Sequence, residues 1–157
     1  MATGAIAELQ RNCPNWSSIV DAIVKLERKT FPKHESLAKS FDEELKKNNS
    51  GLLYVVLDGE VAGYVMYSWP SSLCASITKL AVKENFRRQG YGEALLKAAI
   101  DKCRTRNVQC ISLHVDPLRI PAMNLYKKLG FKVDNLIEGY YSSDRSAYRM
   151  HLDFTVE

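Results

Sequence analysis

Residues 77–96 read as a strand, a tight turn and a helix, with no spacer between them. Ile77 to Val82 is an apolar run suited to a buried strand. The turn reads Arg87-Arg88-Gln89-Gly90-Tyr91-Gly92. From Gly90 to Arg104 the pattern turns helical, with Ala94, Leu95, Ala98, Ala99 and Cys103 on one inward face. A strand that feeds straight into a helix commits the chain to a crossover and a further strand in the same sheet. Two glycines let the turn adopt dihedrals that other residues avoid and bring its backbone close to a ligand. Amides at a helix start lack intrahelical partners, and the helix dipole favours an anion there. With Arg87 and Arg88 just upstream, the turn is a phosphate cradle suited to a pyrophosphate. No Gly-Lys-Ser/Thr follows, and the Gly-x-Gly-x-x-Gly dinucleotide fingerprint is absent.

Around this unit the chain reads as a mixed α/β sheet protein. A short strand is expected near Ala5–Leu9, after a start that can fray over residues 1–12. A helix spans residues 15–29 on the spacing of Ile19, Val20, Ile23, Val24 and Leu26. Phe31-Pro32 ends it, because the residue before proline avoids the α region. Leu37, Phe41 and Leu45 mark a second helix over 36–47. Residues 52–57, 61–69 and 75–82 form an antiparallel meander, with Asp58-Gly59 as a hairpin turn and Pro70-Ser71-Ser72 as the second turn. After the crossover helix come a strand over 109–115 and a helix over 121–129, with proline in its first turn and Gly130 past its end. Strands over 131–137 and 147–154 close the sheet. At 157 residues, the whole of 1–157 reads as one domain.

Composition narrows the function. The net charge of +4 is mild, and the basic residues are spread along the chain rather than gathered in the stripe that a nucleic-acid binder uses. There is no apolar run near the ~18 residues that span a bilayer, and no secretory leader, so neither nucleic acid nor membrane is an expected partner. Cys13, Cys74, Cys103 and Cys110 are scattered, which favours reduced thiols and a cytoplasmic setting, with the nucleus also open. Cys74 and Cys110 read as core residues. His34, His114 and His151 make no metal-ligand spacing with the cysteines, so no metal is expected.

A second motif stands about 30 residues beyond the first. Residues 122–131 read Ala-Met-Asn-Leu-Tyr-Lys-Lys-Leu-Gly-Phe. Leu125, Leu129 and Phe131 are placed to pack a helix on the sheet, which leaves Tyr126 as a phenol at the buried face. Arg-x-x-Gly-x-Gly between strand and helix, followed by Ala-x-x-Leu-Tyr-x-x-x-Gly-Phe, resembles the GNAT superfamily of N-acetyltransferases over residues 50–154. The resemblance implies the GNAT acyl-CoA N-acyltransferase fold and acetyl-CoA as cosubstrate, with no metal. It also implies transfer of an acetyl group to a primary amine by direct attack in a ternary complex. Cofactor contacts are then expected from Leu80, Ala81, Val82, Arg87, Arg88, Gln89, Gly90, Tyr91, Gly92 and Glu93. A backbone amide of 80–82, where the central strands splay, would stabilise the oxyanion. Tyr126 would protonate the departing thiolate. One departure is Arg119, where many members carry an asparagine that contacts the cofactor.

Finer features resemble protein N-terminal acetyltransferases. These are Phe31-Pro32, Leu113-His114-Val115 and the paired tyrosines of Glu138-Gly139-Tyr140-Tyr141. They imply His114 as the base and Phe31, Pro32, Glu35, Tyr140 and Tyr141 around the peptide. Relatives with the histidine can carry a tyrosine at the place of Ser76, so Glu35 and Tyr140 stay open as alternative bases. An auxiliary subunit is also open. A lysine side chain or small amine is the alternative acceptor. A non-catalytic CoA-binding or interaction module is the alternative of another class.

Overall fold

A computed structural model describes residues 5–10, 14–30, 49–69, 73–142 and 145–154. Among the described residues seven strands form one sheet in the order β1-β2-β3-β4-β5-β7-β6. They are β1 (Ile6–Glu8), β2 (Ser50–Leu57), β3 (Glu60–Ser68), β4 (Cys74–Val82), β5 (Cys110–Val115), β6 (Lys132–Ser142) and β7 (Arg145–Asp153). The helices are α1 (Trp16–Thr30), α2 (Tyr91–Arg104) and α3 (Ile120–Lys128), with a 3-10 turn at Glu84–Phe86. Among the described strands only β4 and β5 pair in parallel, as a strand–helix–strand crossover through α2 requires. The second helix expected over 36–47 lies outside the described residues, as do Phe31, Pro32 and Glu35.

Two apolar cores sit on opposite faces of the sheet. On one face α2 buries Leu95, Leu96, Ala99, Ile100 and Cys103 against Val65, Ala75, Ile77 and Ile111. Full burial of a leucine contributes about 1.5–3 kcal/mol, so Leu95 and Leu96 are principal anchors. Ala94, expected inward, is exposed, and Leu96 and Ile100 carry the load instead. On the other face α1 packs Ile19, Val20, Ile23 and Leu26 against Leu52, Tyr54, Tyr64 and Met66. Arg28 and Lys29 close α1 in its last turn, where cations suit the helix dipole.

The inward stripe of α1 runs Ile19, Ile23 and then Glu27, which is fully buried. A buried charge is costly unless it is paired. The Tyr64 hydroxyl donates to Glu27 Oε2, and Lys79 Nζ lies 3.9 Å from Oε1. Burial first, and then the neighbouring Glu27 charge, hold the Tyr64 phenol above its usual pKa.

Lys79 reaches this pair because β4 is bulged. Lys79 pairs with Met66 but Ile77 pairs with Tyr67, so Thr78 is an extra residue. Ala75 and Ile77 face α2 before the bulge, and Leu80 and Val82 face it afterwards. Lys79 and Ala81 therefore turn toward α1, where Ala81 joins that core.

Gly63 sets the spacing of β3 and β4 beyond the bulge. A Cβ there would stand 2.9 Å from the Ala81 carbonyl oxygen and 3.2 Å from Leu95 Cδ1. Backbone cannot yield as a flexible side chain would. Gly63→Ala is therefore expected to cost on the order of 1–3 kcal/mol, the range of overpacking. The check is a urea midpoint, and an unchanged midpoint would contradict this reading.

Cys74 and Cys110 correct an expectation. They are not reduced core thiols: they face each other across β4 and β5 with Cα atoms 4.7 Å apart and form a disulfide. Cys103 is a free, buried thiol, and burial pushes its pKa up to about 12. No helix among the described residues is long and apolar enough to cross a membrane.

Candidate active site

β4 and β5 pair only from Cys74–Cys110 to Ile77–Leu113. One step further lie Thr78 and His114, and there the strands part. β4 runs on to Val82 alone on this side, its other edge still bonded to β3. A cavity of about 1240 Å³ opens in the gap, larger than a typical small-ligand pocket of roughly 300–1,000 Å³. Both sequence motifs converge on it. Leu80, Ala81 and Val82 form one wall, and Arg87, Arg88, Gly90, Tyr91, Gly92 and Glu93 form its end. His114, Arg119, Leu125, Tyr126 and Tyr140 lie opposite.

The turn before α2 has the backbone of an anion cradle. Arg88 and Gly90 both adopt positive φ, +63° and +87°. Gly90 is the N-cap residue of α2, with no side-chain cap. The Ala94 amide donates to the Gly90 carbonyl at 3.0 Å, so the amides ahead of it project from the helix end. A Cβ on Gly90 would meet nothing within 4 Å, so the space above the turn is open. Arg87 has a local duty: its Nε donates to the Val82 carbonyl at 2.9 Å, tying the turn to the end of β4. Gln89 is exposed in the turn and is not part of the cavity wall.

Charge in the cavity favours an anion. Its cations are Lys79, Arg87, Arg88, Arg119 and Lys128, against the carboxylates Glu93 and Asp116. Lys128 pairs with Glu93 at 2.9 Å, bridging α3 to the start of α2. Asp116 is buried, and its Oδ1 accepts the Leu118 amide at 2.9 Å. Arg119 is half-buried and close enough for its charge to act on Tyr126.

Tyr126 and His114 approach the gap from opposite faces. Tyr126 comes from α3 and is 8% exposed. Its ring meets Phe131 edge-on at 5.9 Å. Burial pushes its pKa up to about 12, with the Arg119 charge opposing. His114 alternates on β5 with Leu113 and Val115, which belong to the α2-face core, so its imidazole lies on the α1 face. It stacks on Tyr140 at 4.6 Å, with the planes 10° apart. Desolvation, and then the Arg149 charge, lower its pKa, while Asp134 pulls the other way.

Glu138 to Tyr141 is part of strand β6. Ser76 pairs with Ser112, and Thr78 is the β4 residue one step beyond the last pair, level with His114. Lys79 and Thr30 line the cavity although neither stood out in the sequence. The signal for Lys79 was a break in apolar parity along β4, from odd positions up to Ile77 to even ones from Leu80.

A parted parallel strand pair with an anion cradle at one end is the site of an acyl-CoA-dependent transferase. Residues 16–131 match the family model described as "Acetyltransferase (GNAT) family". An N-alpha-acetyltransferase of Sulfurisphaera tokodaii is 34% identical over 143 residues, covering 83% of this chain and 85% of that protein. A putative [ribosomal protein bS18]-alanine N-acetyltransferase of Bacillus subtilis is 29% identical, covering 80% of this chain and 82% of its own length. Among solved structures, Ard1 from Thermoplasma volcanium superposes with a TM-score of 0.82 at 26% identity, covering 99% of this chain and all of the other. The chain belongs to the GNAT family of acetyltransferases. Acetyl-CoA is its donor, and the open cradle and cationic cavity fit that group.

Proposed function

We propose that this chain acetylates the α-amine of a protein or peptide N-terminus. The observation that carries the reading is His114 on the acceptor-side face of the strand gap, with its pKa held below the ordinary histidine value. Such a group is an unprotonated base at neutral pH. An α-amine has a pKa of about 8, against about 10.4 for lysine. Taking one proton from the former suits a histidine-like base far better. The named relatives that act on protein N-termini support the same acceptor.

Bound acetyl-CoA supplies an acetyl group already activated as a thioester. The remaining work falls to the chain. Gly90, Gly92 and the neighbouring amides hold the pyrophosphate, with Arg88 adding charge. Arg87 fixes the turn through Val82. The edge of β4 from Leu80 to Val82 orients the acyl group and offers a backbone amide to the developing oxyanion. His114 Nε2 or Nδ1 takes the proton from the acceptor ammonium, directly or through water, while Tyr140 holds the ring by stacking. Tyr126 would donate a hydrogen bond from its hydroxyl to the departing sulfur. Phe31, Pro32, Glu35 and Tyr141 complete the peptide side in this reading.

The test is a peptide with a free N-terminus and one internal lysine, against the same peptide with a blocked terminus. Blocking is expected to abolish turnover. Equal turnover of both would move the acceptor to the lysine. His114→Ala should lower kcat/KM by about 10²-fold or more. The loss should be largest on the acid side of pH 8, where the amine is mostly charged, and should shrink above it. A pH-independent deficit would remove His114 from the proton route.

A further inference from the structure

Lys79 stands apart from the anion cradle. Arg87 and Arg88 are on the turn before α2. Lys79 lies on the opposite face of β4, beside Ala81 of the α1 core. This is the face that His114 shares. Lys79 is a cavity-wall residue with a side chain only 12% exposed. Behind it, Glu27 is fully buried and held by the Tyr64 hydroxyl. Lys79 Nζ lies 3.9 Å from Glu27 Oε1, and this carboxylate offsets the burial of the ammonium. Arg149 stands level with His114 across β5 and β7, on the same face, and adds positive potential. Asp134 on β6 lies 3.0 Å from His151 Nδ1.

We propose that Lys79 is a specificity residue of the acceptor site. It binds a carboxylate side chain close to the acceptor amine, and Glu27, locked by Tyr64, positions it. The acceptor class is therefore an N-terminus followed at once by an acidic residue. This rests on the α-amine reading above. The physical grounds are that a charge-assisted hydrogen bond is roughly twice as strong as a neutral one. A basic residue at the same place meets like charge in a partly dry wall, which discriminates against it. The Thr78 bulge is what gives Lys79 this role: without the extra residue its side chain would point into the α2 core.

The experiment compares three peptides that differ only at the residue after the free terminus: Glu, Gln or Lys. With the full chain and saturating acetyl-CoA, kcat/KM for the Glu peptide is expected to exceed that for the Lys peptide at least tenfold. Added salt should shrink the ratio. Lys79→Gln should bring the ratio close to one, and Lys79→Arg should retain most of it. A wild-type protein that does not distinguish the peptides, or a Lys79→Gln protein that keeps the full ratio, would overturn the proposal. If Lys79→Gln fails to fold with Glu27 left behind it, the double variant Glu27→Gln/Lys79→Gln removes both charges, and its Glu/Lys ratio should likewise fall to about one. Each peptide is also run with its terminus blocked. Turnover of blocked peptides would sink the α-amine reading, whereas an unchanged Glu/Lys ratio in Lys79→Gln would sink only the role of Lys79.

Discussion

Gly90→Asp should lower acetyl-CoA affinity well beyond tenfold, or about 1.4 kcal/mol, while the protein stays folded. Gly90 sits at φ +87°, where an L side chain is strained. Aspartate tolerates that region better than most residues, and it is a favourable helix N-cap. The substitution therefore leaves α2 largely intact. What it changes is the space above the turn, which in the wild type holds no atom within 4 Å of a Cβ position. A carboxylate placed there occupies the phosphate position and repels it. Gly90→Ala supplies the control, since it carries the strain without the charge. Its loss should be smaller. Calorimetric titration with acetyl-CoA, with circular dichroism to verify folding, reads both effects. Undiminished affinity in a folded Gly90→Asp protein would sink the assignment of this turn to the pyrophosphate.

The cradle was legible because its chemistry is local. A strand, two arginines, two spaced glycines and a helix start occupy one continuous stretch, and φ > 0 at Gly90 follows from the turn they make. Asp58-Gly59 was legible for the same reason, and both residues have positive φ, 53° and 79°. Tyr126 could be placed because the leucines around it and Gly130 define its helix. The meander and the parallel β4–β5 pair followed once a crossover was recognised, whereas the place of β7 between β5 and β6 came only from the structure.

What the sequence hid depends on contacts between distant segments. Glu27 lies amid Lys25, Arg28 and Lys29 and reads as part of a solvated face. Its burial is visible only when Tyr64 and Lys79 are brought from β3 and β4. The disulfide joins residues 36 apart in sequence, and nothing short of the β4–β5 register sets Cys74 opposite Cys110. The bulge is an intermediate case. Ala75 and Ile77, then Leu80 and Val82, cannot all face one core on an unbroken strand with a period of two. That conflict is written in the sequence, and it predicts an extra residue between positions 77 and 80. Lys79 becomes a cavity residue only once Thr78 is counted as that extra residue.

Tyr126→Phe should lower kcat by about 10- to 100-fold, at or below the lower end of acid–base contributions, with the fold and most donor affinity kept. The substitution removes one oxygen from a packed ring, so Phe131 and the α3 core lose little. Tyr126 lines the cavity, where a thioester would be bound. The phenol's pKa of about 12 restricts what it can do. An ordinary thiol titrates near 8.5, and each unit is worth about 1.36 kcal/mol. Complete transfer of the phenolic proton to a thiolate would therefore be uphill by roughly 5 kcal/mol. A hydrogen bond to the sulfur as charge develops avoids that cost and still stabilises the transition state. We therefore read Tyr126 as a donor that keeps its proton through most of the step. The sign of its pKa shift gives a second readout. A phenol held near 12 is still neutral at pH 10, whereas an unshifted one would be half ionised there. The ratio of wild-type to Tyr126→Phe kcat should then be the same at pH 7 and pH 10. A ratio that falls toward one by pH 10 would mean that the phenol ionises normally and that burial does not protect it. A kcat equal to wild type at both pH values would return Tyr126 to the core as a packing residue.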